Sequence, residues 1–77
     1  MALMAYRLTS KTLIKLGKNV RRIRKDQKKQ QEDVAFVANI EPSYYAKIER
    51  GEANPSLEKI YCIIRALDIN SSDILPF

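Results

Sequence analysis

A chain of 77 residues that is 45% apolar and 30% charged, with 2 Gly and 3 Pro, has room for one small folded domain and none for a separate catalytic half. It carries 14 Lys and Arg against 9 Asp and Glu, a net charge of +5, with one Cys and no His. This excludes an internal disulfide, an imidazole base and a Cys/His zinc site, and it favours a polyanionic partner.

Residues 1–9 (MALMAYRLT) read as an N-terminal arm ahead of a domain at residues 10–77. The apolar stretch from Ala2 to Tyr6 is shorter than the roughly 7 to 15 residues of a signal-peptide core. No run in the chain approaches the ~20 apolar residues of a membrane helix. With a cysteine count that suits a reducing compartment, the expectation is a soluble cytoplasmic protein without membrane, metal or cofactor partners.

From Ser10, Leu13, Leu16, Val20 and Ile23 recur at intervals of three and four, which predicts an amphipathic helix ending near Gln27. Bases fill its other face. Residues 1–30 hold ten Lys and Arg and one acid, Asp26, a net of +9, whereas residues 31–77 hold four bases and eight acids, a net of −4. Anion binding is therefore expected on one side of the molecule.

The polar joint Lys28-Lys29-Gln30-Gln31 leads into a short second helix, Gln31 to Ala38, with Val34, Ala35 and Ala38 inward. Asn39 suits a helix stop, because Asn tolerates the left-handed conformation. Pro42 suits the first turn of a third helix, where its missing N–H costs nothing. That helix runs to about Arg50, with Tyr45 and Ile48 inward and Gly51 as its stop. Asn54-Pro55-Ser56 opens a fourth helix whose apolar face is Leu57, Ile60, Ile63, Ile64 and Leu67, ending near Asp68. Asn70 to Asp73 offers capping side chains before a last helical turn at Ile74 and Leu75. No strand alternation is present, so the predicted fold is all-α, a compact five-helix bundle around one core.

The second and third helices, joined by about three residues, have the lengths of a helix-turn-helix at residues 31–50. Within and around them stand Gln31-Glu32-Asp33-Val34-Ala35, Asn39-Ile40, Ser43-Tyr44-Tyr45, Lys47-Ile48-Glu49-Arg50-Gly51 and Asn54-Pro55-Ser56-Leu57. This resembles the lambda-repressor/Cro-like (XRE) helix-turn-helix family, continuously from about Leu16 to Leu75. The resemblance implies a double-stranded DNA-binding transcriptional regulator, a repressor acting as a homodimer on a palindromic operator. It places the start and exposed face of the third helix in the major groove, so that Pro42, Ser43, Ala46 and Lys47 read bases. Lys47 can donate to guanine, Ser43 can bond several bases, and Pro42 and Ala46 offer apolar contact to a thymine methyl. Gln31, Tyr44, Arg50 and Asn54 are implied phosphate contacts. Arg24 and Glu49 stand where the family often has an ion pair tying the first helix to the end of the third.

The chain departs from the family pattern at several positions. Lys28 and Lys29 replace the usual Gly and apolar residue before the second helix, Gln30 replaces its Ser or Thr cap, and Glu41 replaces the short polar cap of the third. Phe36 resembles the restriction-modification controller subgroup, whereas Pro42 stands where controllers commonly carry Arg. Ile69, Ile74, Leu75 and Phe77 exceed what so small a core needs and are expected to form the dimer surface, with Tyr61 beside them. The competing reading is an antitoxin-like or adaptor module of the same fold, binding a protein through Phe36, Val37, Glu41 and Pro42. The carboxylate pairs Glu32 with Asp33 and Glu49 with Glu52 have no catalytic partners, and the single thiol, Cys62, has no activating base beside it. An enzyme is not expected.

Overall fold

In the computed structural model, which describes residues 8–77, four α-helices follow one another: α1 (Ser10–Asp26), α2 (Gln31–Ala38), α3 (Pro42–Glu49) and α4 (Leu57–Leu67). No strand occurs among these residues. The expected fifth helix is a correction. Ser71–Asp73 forms one 3-10 turn, because Ile74 and Leu75 alone remain before Pro76, too few for a second turn, and Pro cannot donate the next N–H. The expected arm lies outside the described residues up to Arg7, and Thr9 already serves α1 as its N-cap, accepting the N–H of Thr12 at 3.1 Å.

Each helix stops where local chemistry stops it. Asn39 and Asp68 close α2 and α4 with φ of 57° and 56°, and Gly51 follows α3 with φ of 75°. A Cβ on Gly51 would also lie 2.6 Å from Cα of Ile14, so both conformation and space require glycine there. Lys28 also has positive φ, 58°, at the place where the family pattern has Gly. A left-handed non-glycine residue costs roughly 1–2 kcal/mol. Lys28→Gly is therefore expected to stabilise the fold by about 1 kcal/mol, a rise in melting temperature of roughly 4–8 °C for a domain of this size. Thermal denaturation checks it, and an unchanged or lowered melting temperature counts against the argument.

The core is built from Leu16 and Val20 of α1, Val34, Ala35 and Ala38 of α2, Tyr45 and Ile48 of α3, Ile60, Ile63, Ala66 and Leu67 of α4, and Ile40 and Ile74 from the connections. The polar joint has a structural task. Helix geometry leaves the last carbonyls of α4 without intrahelical donors, and the Gln27 amide donates to Leu67 O at 2.8 Å while Lys29 Nζ reaches Ala66 O at 3.4 Å. Asn19 of α1 donates to Ile74 O at 3.0 Å, holding the tail against the bundle.

Two expectations of burial are corrected. Leu57, read as part of the inward face of α4, is 78% exposed, because as the first residue of the helix it projects beyond the end of the core. Ile74, read as part of a dimer surface, is 0% exposed; the chain after α4 folds back and buries it in the protomer's own core. Ile69 and Leu75 are half-buried and Phe77 is exposed. Cys62 is half-buried against the core.

Candidate nucleic-acid interface

The short α3 is presented by its neighbours. It opens at Glu41, whose Oε1 accepts the N–H groups of Ser43 at 3.0 Å and Tyr44 at 3.2 Å and also the Ser43 hydroxyl. The Ser43 hydroxyl, then the two N–H groups and the nearby Lys47 charge, hold this exposed carboxyl below its ordinary value, so Glu41 stays ionised as the helix cap. Pro42 follows at the first helical position. The main partners of Glu41 are thus the start of α3 and Ser43.

Beyond the cap, Pro42, Ser43, Ala46, Lys47 and Arg50 fall on one side of α3 by their spacing. Pro42, Ser43, Lys47 and Arg50 are exposed and Ala46 is half-buried, while Tyr45, Ile48 and Glu49 face inward. Arg50 Nε lies 3.1 Å from Glu52 Oε2 with both side chains about half exposed, a pairing weak enough to leave the guanidinium free for an anion. Asn54 is exposed in the connection to α4. Tyr44 is partly buried, with the Lys59 ammonium 5.8 Å from its ring centre.

Behind this face lies a buried ion pair. Arg24 Nε donates to Glu49 Oε2 at 2.6 Å and Arg24 Nη2 to Glu49 Oε1 at 3.1 Å, a two-pronged contact, and Arg24 Nη1 reaches Lys29 O at 2.7 Å. Arg24 is 7% and Glu49 5% exposed. Burial pushes the Glu49 carboxyl up, but donors from Arg24 and Gln31 outweigh it and hold the group below its ordinary value. Arg24 is raised, chiefly by its bond to Glu49. The Tyr45 hydroxyl is buried beside the pair without a partner at hydrogen-bonding geometry, and this burial raises its pKa.

Gln31, the first residue of α2, donates from Nε2 to Glu49 Oε1 at 2.9 Å. Its side chain thereby locks the start of α2 to the pair. α2 opens in the extended conformation at Gln30, whose N–H is taken by the Asp33 carboxylate at 3.0 Å. Gln30 is thus a workable cap because Asp33 supplies the reciprocal bond. On the outer side of α2, Phe36 and Val37 are 86% and 67% exposed.

One residue that positions the site carries no sequence signal. Gly17 of α1 is buried where the end of α3 crosses it, and a Cβ there would strike the Ile48 carbonyl oxygen and lie 2.5 Å from that of Glu49. Helical periodicity alone assigns no role to such a glycine.

A family model described as Helix-turn-helix matches residues 20–74. Over 71 residues the chain is 35% identical to "Control protein C.BamHI" of Bacillus amyloliquefaciens, covering 91% of this chain and 88% of that protein. It is 40% identical over 60 residues to the "Immunity repressor protein" of Bacillus phage phi105, covering 78% of this chain and 42% of that one. Among solved structures, the restriction-modification controller protein C.AhdI from Aeromonas hydrophila superposes with a TM-score of 0.79 at 35% identity, over 80% of this chain and 94% of that chain. The controller C.Esp1396I, solved as a tetramer with its natural 35 base-pair operator, gives a TM-score of 0.73 at 27% identity, over 77% and 78%. Among the described residues no helix is long and apolar enough to cross a membrane.

Proposed function

The chain belongs to the lambda-repressor/Cro-like helix-turn-helix family, and from that premise we propose that it is a cytoplasmic, sequence-specific regulator of transcription, a repressor that binds a palindromic DNA operator as a homodimer. The observation that carries this reading is the outer face of α3, where Pro42, Ser43, Ala46 and Lys47 stand clear of the core on a helix fixed at both ends. Lys47 donates to the O6 and N7 acceptors of guanine, and Pro42 and Ala46 meet thymine methyl groups. Ser43 reads as an acceptor, because its proton is committed to Glu41. Arg50, Asn54 and the Tyr44 hydroxyl hold phosphates, joined by the backbone N–H of Gln31, which helix geometry leaves free at the start of α2.

Four residues on one short helix read too few base pairs for useful specificity, and two-fold pairing doubles the site. We assign the dimer surface to an apolar groove of about 490 Å³ on α4 and the tail, formed by Leu57, Ile60, Tyr61, Ile64 and Leu75, together with the half-buried Ile69 and the exposed Phe77. This retains Leu75 and Phe77 and replaces Ile74. Leu57→Glu is expected to leave melting of the protomer nearly unchanged, since the residue lies outside the core, while shifting sedimentation from dimer to monomer. On a palindromic duplex selected by the parent, the variant would give one-protomer complexes at higher concentration in place of two-protomer ones. A parent that binds its duplex only one protomer at a time contradicts the proposal.

A further inference from the structure

A groove of about 720 Å³ lies between α1 and the adjoining ends of α2 and α3, lined by Lys18, Arg21 and Lys25 of α1, Gln31 of α2, and Arg50. Lys18, Arg21 and Lys25 are spaced three and four apart, so they share one side of α1, and all three are exposed. The other two guanidiniums in the groove have partners, Arg24 with Glu49 and Arg50 with Glu52. Among the described residues these are the two ion pairs within 4.0 Å, so Lys18, Arg21 and Lys25 have no such partner, and Glu32 is the remaining acid lining the groove. Like charges at this spacing repel one another, and a chain of anions placed along them relieves that repulsion.

The position of the groove selects the anion. Arg50 and Gln31 belong both to the groove and to the face proposed to meet DNA, so the groove adjoins that face on the α1 side. From Lys18 to Lys25 the helix rises roughly 10 Å, a length over which one strand of duplex presents about three phosphates. We propose that this groove is a second backbone site, holding phosphates of the same duplex beyond the base pairs read by α3. The proposal rests on the DNA-binding reading above and extends it to α1.

The test compares two variants of the full chain that remove equal charge from the same helix. Lys18→Gln with Arg21→Gln lies in the groove. Lys15→Gln with Arg22→Gln lies outside it, on residues that are also exposed. Affinity for a selected duplex is measured across salt concentrations, with the duplex ends long or trimmed to the read bases. Each lost phosphate contact lowers the slope of log K against log salt by about 1. The groove pair is therefore expected to lower it by about 2 and to remove the advantage of the longer duplex, with the control pair near the parent. A groove variant with the parent's slope and length dependence, or a control variant that falls equally, overturns the second site while leaving α3 as the reader. A folded parent that selects no duplex removes the DNA reading itself, and the second site with it.

Discussion

Glu49→Ala is expected to lower the stability of the domain by about 3–5 kcal/mol, the usual consequence of leaving one partner of a buried ion pair without the other. At roughly 0.05–0.15 kcal/mol per residue, a chain of 77 residues has a total of only about 4–12 kcal/mol. The variant therefore sits near the edge of folding. Three groups lose their acceptor together: both prongs of Arg24, at 8% side-chain exposure, and the Gln31 amide. Arg24→Met with Glu49→Leu is expected to recover most of the loss, because replacing both charges removes the desolvation cost along with the attraction. Urea denaturation of the parent and the two variants checks this; a Glu49→Ala protein that melts like the parent, yet has lost DNA, would assign the pair to binding instead.

The pair also sets a pH dependence. The Glu49 carboxyl lies below its ordinary value of 4.5, so the folded state holds its proton less tightly than the unfolded chain does. Its contribution is complete above the unfolded value and is lost as pH falls through the folded one. Stability of the parent is thus expected to change little from neutrality to about pH 5 and to drop below 4.5. Glu49→Gln, already weakened at neutral pH, should lack that component of the acid loss.

Gly17→Ala is the second large effect, and its sign opposes helix propensity. Inside a helix the exchange ordinarily favours folding by about 1 kcal/mol. Here the added methyl lands on the Ile48 and Glu49 carbonyls and 2.8 Å from the Glu49 carbonyl carbon. These are backbone atoms of the last turn of α3, so no side chain can rotate away. Either α1 and α3 separate or the turn distorts, and both moves disturb the Arg24–Glu49 contact. Overpacking of this kind costs about 1–3 kcal/mol or more. Set against the helix gain, the net expectation is a loss of up to about 2 kcal/mol, or roughly 10 °C in melting temperature, together with weaker DNA binding from a displaced α3. A variant that melts at or above the parent contradicts the close crossing.

What the sequence made legible was local in origin. Asn39, Pro42, Gly51 and Ser56 act within one turn of themselves, and each starts or stops its helix as its own chemistry predicts. The spacing of Leu16, Val20, Val34 and Ile63 likewise showed which faces are buried. The Arg24–Glu49 pair, 25 residues apart, became visible only through the family pattern, since nothing in the periodicity links them. The remaining differences arise from tertiary placement. Ile74 is apolar in a tail, and the sequence does not distinguish a partner's surface from the protomer's own core. Leu57 keeps the helical rhythm while projecting past the end of the core. Gly17 gives no signal in the sequence, because its role depends on α3 lying across it. Glu41 and Ser43 were legible as residue types near DNA, but their mutual bond depends on the conformation of the α3 start.

The central claim is that Lys47, at the centre of the exposed face of α3, reads a base. The most direct measurement is selection of bound sequences from a random duplex library at about 150 mM salt, run in parallel for the parent and Lys47→Ala. The parent is expected to enrich a palindrome with half-sites about one helical turn apart. Lys47→Ala should lose roughly 1–3 kcal/mol of discrimination at one symmetric base pair while keeping the rest of the sequence. Identical selections by the two folded proteins would contradict base reading by Lys47, and no enrichment from either would leave the helix-turn-helix as a scaffold for a protein partner.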